Sequence, residues 1–246
     1  MISLAIPNFN QYDTVKRLIE ENVNDDCIGE IVITEDVDVD EHSYWKQVEE
    51  LSKQYSKVRF YKNPKRLGAY LNKHHVVELC KYDWVALCDS DNFMGRSYFD
   101  VLMQQDKWDE SILYCPCHGK PNDGRECLNF NHLQGELITN ISCLLDEERY
   151  GLFFHMGNYF FNKKKYLEIS SRFLEDVPDG KRGGIAYDSF MICQQWLREG
   201  NKILCVPKLT YEHMNRPNGA YWYYSNGWFW EFYELKRYLS RLSGKE

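Results

Sequence analysis

No stretch of the 246-residue chain approaches the roughly 20 consecutive apolar residues of a membrane span, so a spanning helix is not expected. Basic residues are in the minority, 30 Lys and Arg against 37 Asp and Glu, for a net charge of −7. That lack of a basic face argues against nucleic acid as a partner. There is no internal repeat and no low-complexity linker, so the chain reads as one large domain or two fused subdomains. Met1 leads into Ile2–Ile6 without a basic leader, and that apolar run is too short for a signal-peptide core. A cytoplasmic protein is therefore expected. Without a secretion signal, the nine cysteines read as reduced thiols rather than a disulfide framework. Cys80, Cys88, Cys193 and Cys205 sit inside apolar stretches and are expected in the core. Cys115-Pro-Cys117-His118 with Cys127 fits no common zinc spacing well.

What is present is an alternation of strand and helix. Hydrophobic content of 43% and charged content of 27% are ordinary for a globular protein with a substantial core. Ile2–Ile6 reads as a strand, followed by a Pro7–Asn10 loop. Next comes a helix capped by Asp13, with Val15, Leu18, Ile19 and Val23 on one face. Strand Glu30–Thr34 runs into Glu35-Asp36. Helix Tyr44–Tyr55, strand Val58–Tyr61, loop Asn63–Gly68, helix Ala69–Cys80 and the apolar strand Trp84–Cys88 follow. This order implies an α/β fold, a mostly parallel sheet with helices on both faces. In such sheets ligands bind beyond the carboxyl ends of the strands, and three of those ends carry polar clusters: Pro7–Asn10, Glu35-Asp36 and Asp89–Asn92.

Asp89-Ser90-Asp91 stops the fourth strand abruptly. If the chain stays extended, both carboxylates point to one side and repel unless a cation sits between them. Oxygen-rich sites of this kind suit Mg²⁺ or Mn²⁺ shared with phosphates. The alternative is a polar turn, since Asp, Ser and Asn are common turn residues.

Beyond Phe93 the pattern loosens. A helix Ser97–Gln105, a strand Ile112–Cys115, a long loop Pro116–Gly135, a helix Tyr187–Glu199 and a strand Ile203–Val206 are expected. The aromatic stretch Gly151–Phe161 is interrupted by His155 and by Gly157-Asn158, and His213 follows the last strand. The tail from Ala220 is crowded with aromatics. Its stripe Trp228, Phe232, Leu235, Leu239 and Leu242 beside Lys236, Arg237 and Arg241 suits either peripheral contact with a membrane surface or docking on the protein's own body.

Four stretches together resemble the family 2-like, nucleotide-diphospho-sugar glycosyltransferases of the GT-A fold. They are Ile2–Asn10, Glu30–Asp36, Val58–Lys73 and Asp89-Ser90-Asp91, the last at the place of the family's D-x-D motif. The resemblance implies a nucleotide-sugar-binding subdomain over residues 1–94 and an acceptor-binding, catalytic one over 95–246. It implies that Phe9 stacks on a nucleobase with Pro7 and Asn8 around it, and that Glu35 or Asp36 accepts hydrogen bonds from base or ribose. Arg66, Gly68, Lys73, Asp89 and Ser90 would line the donor site, with Lys73 in the place of the usual Arg. Asp89, Asp91 and His213 would hold Mn²⁺ or Mg²⁺. Gly157, Asn158 and Trp222 would contact substrate, and Arg216 the diphosphate.

An inverting transfer to a hydroxyl acceptor needs a carboxylate base. The family often carries an acidic pair at the start of a C-terminal helix. Here that position reads Ala186-Tyr187-Asp188-Ser189, so Tyr187 replaces the first acid and Asp188 is the candidate base. Asp188 is equally suited to capping the helix, and Asp176 and Asp179 are fallback candidates. Two other functions fit less well. A sugar nucleotidyltransferase usually opens with a glycine-rich phosphate loop, and Pro7–Tyr12 has no glycine. A catalytically inactive sugar- or nucleotide-binding protein on the same fold is kept open by Tyr187. Uridine is the favoured base by resemblance alone.

Overall fold

The computed structural model describes residues 1–37, 44–121, 128–176 and 188–214. All seven residues of Ile2–Asn8 are buried, as an unbroken apolar run flanked on both faces requires, and they form the central strand β1. Helix α1 (Asp13–Asn22) follows, then β2 (Ile28–Glu35), α2 (Tyr44–Ser52), β3 (Val58–Lys62), α3 (Ala69–Leu79) and β4 (Trp84–Leu87). β1 pairs in parallel with both β2 and β4, and β2 with β3. Asp13 lies in the first turn of α1, and Tyr12 stands at the cap with no side-chain capping bond.

The second half adds to the same sheet. β5 (Asn92–Phe93), α4 (Arg96–Met103), β6 (Ile112–Pro121), β7 (Leu137–Ile138), α5 (Glu147–Tyr150), β8 (Tyr159–Asn162), α6 (Lys163–Asp176), α7 (Asp188–Arg198) and β9 (Lys202–His213) follow in chain order. The order across the sheet is β3-β2-β1-β4-β8-β6-β9-β5, with β7 on β9. It is parallel through β3–β4 and mixed beyond, because β8 runs antiparallel to both β4 and β6. Strands from residues 1–94 and 95–246 are thus hydrogen-bonded into one sheet.

Two strands outrun their sequence expectation. β6 continues from Cys115 to Pro121, through residues that read as loop, because β9 pairs with it in parallel across that whole length. β9 itself reaches His213, passing an irregularity in the register where Lys208 adopts φ 63°. Cys80, Cys88, Cys193 and Cys205 are buried, as expected. Among the described residues no helix is long and apolar enough to cross a membrane. The aromatic tail lies outside the described residues.

One buried acid fastens the far end of the sheet. Glu30 accepts from Ser3 Oγ at 2.7 Å, from Arg59 Nη1 at 2.7 Å and from the Lys81 N–H. Burial pushes its carboxyl upward, but the Lys81 N–H, Ser3 and Arg59 outweigh that and hold it below its ordinary value of 4.5. A carboxyl lowered on folding stabilises above the unfolded pKa and loses that contribution as pH falls below it. Glu30→Gln should therefore cost about 1.5–3 kcal/mol at pH 7. Urea unfolding of both proteins at pH 7 and in acid checks this: the gap should narrow below pH 4.5.

Candidate active site

The polar ends of β1 and β2 lie side by side, with Asn8 opposite Glu35. Glu35 is fully buried. It accepts from Asn8 Nδ2 at 2.5 Å and from the Asn10 N–H at 2.9 Å. Burial pushes its carboxyl above the usual range, and those two hydrogen bonds only partly offset it. Asn10 takes φ 53°, the left-handed turn that aims its N–H at Glu35. Asp36 organises the next loop: its carboxylate accepts from the Leu67 N–H at 2.6 Å and the Gly68 N–H at 2.8 Å. Gly68 caps α3 at φ 84°, a conformation a side chain would strain. These contacts hold loop 63–68 so that the exposed Arg66 guanidinium lies 4.7 Å above the Phe9 ring. The buried acids Glu35 and Asp36 thus shape two loops, and Phe9 and Arg66 meet at the mouth between them. Pro7 is buried at the end of β1.

An ionic cluster lies deeper. Lys73, on α3, is buried, and its Nζ reaches Asp89 Oδ1 at 2.7 Å and Asp188 Oδ2 at 2.5 Å. It therefore joins the turn after β4 to the first residue of α7. Asp89 is braced behind: its N–H donates to Asn158 Oδ1 at 3.1 Å, and Asn158 Nδ2 donates to the Met156 carbonyl. Gly157 takes φ 72°, and a Cβ there would lie 2.5 Å from Asp89 Oδ2 and 2.8 Å from Ser189 Oγ. Gly157 and Asn158 consequently seat Asp89 and the start of α7.

One ammonium is shared by the Asp89 and Asp188 carboxylates. Desolvation pushes Asp89 up to about 7; Lys73 opposes the shift, while Asp188 and Asp91 reinforce it. Burial works against the Lys73 charge too, but Asp188 and Asp89 outweigh it and hold the ammonium protonated. The two directions are consistent: Lys73 lies between Asp89 and Asp188, and Asp91 adds its negative charge near Asp89.

The chain does not stay extended through Asp89-Ser90-Asp91. It makes a turn in which the Asn92 N–H donates to the Asp89 carbonyl at 2.8 Å, so the same-side alternation does not hold there. Ser90 is buried within this turn. The turn delivers Asp91 beside Asn92, which pairs with His213 on β9. Among the described residues, no three His, Cys, Asp or Glu side chains converge as a metal cluster. The donor chemistry nevertheless fits a cation shared with a ligand: Asp91 offers oxygen and His213 nitrogen. Asp89 Oδ1 is taken by Lys73.

His155 escaped the sequence reading as a site residue, although an isolated histidine in an aromatic stretch was its signal. It stacks on Phe190 of α7 with centroids 5.1 Å apart. Burial pushes it down to about 4, against the pull of Asp188, so the imidazole is neutral at neutral pH. The Lys73 bridge also went unread, because its partners are distant in sequence. Asp176 ends α6. Asp179, Tyr187, Arg216 and Trp222 lie outside the described residues, as does Cys127.

Residues 3–169 match the model of glycosyl transferase family 2. No curated protein matches the chain. Among solved structures it resembles S. aureus TarS residues 1–349 in complex with UDP-GlcNAc, with TM-score 0.66 and 14% identity over 97% of this chain and 65% of that one. It also resembles the mannosyltransferase PcManGT from Pyrobaculum calidifontis in complex with GDP-Man and Mn²⁺, with TM-score 0.62 and 13% identity over 90% and 59%. A third is GalNAc-T7 with UDP, GalNAc and Mn²⁺, with TM-score 0.59 and 17% identity over 89% and 44%. These likenesses establish the GT-A fold, and the chain spans about three fifths of the length of the TarS structures it matches.

Removing the shared cation should leave two carboxylates facing each other. Lys73→Met is expected to cost about 3–5 kcal/mol in urea unfolding at pH 7. Adding Asp89→Asn to that variant should recover part of the loss, because one of the stranded charges is then gone.

Proposed function

The chain belongs to glycosyl transferase family 2, and from that premise we propose that it moves a sugar from a nucleotide diphosphate to a hydroxyl of a glycan or another acceptor. The observation that carries this reading is the Lys73 bridge, which couples the Asp89–Asn92 turn on the donor side to Asp188 on the acceptor side. On this reading the nucleobase stacks on Phe9 once the exposed Arg66 guanidinium, which covers that ring, swings aside. Glu35 and Asp36 keep the loops around that ring in place. UDP is favoured by the first resemblance, and the known complexes of the neighbours include both UDP-GlcNAc and GDP-Man.

Asp188 is the proposed base. Its Oδ2 is anchored by Lys73, which fixes the carboxylate's orientation. The carboxylate then takes the acceptor's proton as that oxygen attacks the anomeric carbon from the face opposite the leaving diphosphate, which gives inversion. A neutral His155 beside Asp188 can hydrogen-bond an acceptor hydroxyl without competing for its charge. Asp91 and His213 would hold a divalent cation, with Mn²⁺ preferred over Mg²⁺ because one donor is a nitrogen. When bound, that cation neutralises the negative charge growing on the diphosphate.

A thermal-shift panel tests the donor half: UDP, GDP, dTDP and CDP, each with Mn²⁺, Mg²⁺ or EDTA. One nucleotide at a hundred times its dissociation constant should add about 2.7 kcal/mol, a shift on the order of 5–10 °C. The shift should need metal and vanish in Asp91→Ala; a shift that is indifferent to EDTA counts against the cation.

Asp188→Asn tests the base. Transfer should fall about 10²–10⁴-fold while nucleotide binding persists. Tight, metal-dependent binding without transfer or sugar release from any donor would favour the inactive binding protein instead.

A further inference from the structure

Asp91 and His213 come from different strands, so the gap between them depends on how β5 lies on β9. That pairing is only two residues long, Asn92 opposite His213 and Phe93 opposite Glu212. So short a ladder is weak by itself. Both members of its second pair are held by one side chain from outside the ribbon. Arg17, on α1, places its guanidinium 3.7 Å from the centroid of the Phe93 ring. The same group donates through Nη1 to Glu212 Oε2 at 2.6 Å and through Nη2 to Oε1 at 3.0 Å. Its Nε donates to Glu21 Oε1 at 2.9 Å, which anchors the guanidinium on its own helix.

The side chains of β9 sort this contact from the site. Neighbouring residues of a strand point to opposite faces, and the Tyr211 and His213 rings meet at 6.1 Å on one face. Glu212 therefore points to the other, and Arg17 grips the ribbon from the face opposite His213. A second tie from the same helix reaches the next residue of the turn, where Asn22 Nδ2 donates to the Met94 carbonyl at 2.9 Å. The geometry requires a planar fork: two parallel hydrogen bonds to one carboxylate and a stacked face on an aromatic ring are within reach of arginine but not of lysine.

We propose that Arg17 is a positioning residue for the divalent-cation site, fixing β5 on β9 and with it the span between Asp91 and His213. The inference rests on the reading of Asp91 and His213 as cation ligands. Exposed ion pairs of this kind usually add little to stability, so a merely structural Arg17 and a positioning Arg17 make different demands. The first touches stability alone, and the second reaches the metal.

The test is a Mn²⁺ titration in the presence of UDP and, separately, GDP, followed by loss of the free-ion EPR signal, with urea unfolding of the same samples. Arg17→Met should raise the Mn²⁺ dissociation constant about tenfold or more, as loss of an outer-sphere support typically does. Arg17→Lys should fall between it and the unsubstituted protein. Glu212→Gln, which reaches the pair from the other end, should weaken Mn²⁺ in the same direction and serves if Arg17→Met fails to fold. A Mn²⁺ constant unchanged within twofold in both variants, whatever their stability, overturns the proposal and leaves the cation site standing. No Mn²⁺ binding by the unsubstituted protein with either nucleotide overturns the cation site and the role of Arg17 together.

Discussion

A single buried ammonium holds the candidate site together. Lys73 reaches it from α3, in the first half of the chain, and its two carboxylates come from the turn after β4 and the start of α7. Burying such charges is expensive, and apolar side chains of similar volume often serve stability as well or better. The bridge is therefore poorly explained as a stabilising device. Its consequences are positional: Asp89 cannot swing away from the floor of the site, and Asp188 is oriented before any ligand arrives. Gly157 and Asn158 belong to the same arrangement, since one leaves room for the Asp89 carboxylate and the other accepts its N–H.

The acids at the ends of β1 and β2 obey a different logic. Glu35 and Asp36 are buried and spend their oxygens mainly on N–H groups of neighbouring loops. Such bonds replace the water that burial strips from a carboxylate and at the same time set the course of the backbone. Phe9 and Arg66 stay near solvent, and on the proposed reading they are the groups that meet the nucleotide. The site is thus layered, with buried acids building the frame and half-buried or exposed side chains presenting the contact surface.

The first half was legible because its signals are local. Ile2–Ile6, Glu30–Thr34 and Trp84–Cys88 are apolar runs cut off by polar clusters, and the strands appear within two or three residues of those limits. The resemblance pointed to Lys73 and Asp188 separately, but nothing in the sequence joined them, because that contact exists only once the fold brings α3 and α7 together. Beyond Phe93, pairing overrides local preference. Pro116, Gly119 and Pro121 read as loop, yet β9 pairs in parallel alongside them. The same strand hid its own length, because the irregularity near Lys208 breaks the apolar pattern well before His213. At Asp89-Ser90-Asp91 the turn chemistry of Ser90 and Asn92 prevailed over extension.

Counting charges gives a route to the proposed cation that does not depend on the motif. Among the described residues Lys73 sets one positive charge between Asp89 and Asp188; burial raises Asp89 to about 7, Lys73 opposes that, and the nearby Asp188 and Asp91 add to it. A diphosphate entering beside these carboxylates would add further negative charge at short range, where partial desolvation strengthens repulsion. On the proposed reading, that repulsion calls for positive charge at the site. A divalent ion beside Asp91 and His213 would provide it at the point where the leaving group develops its charge.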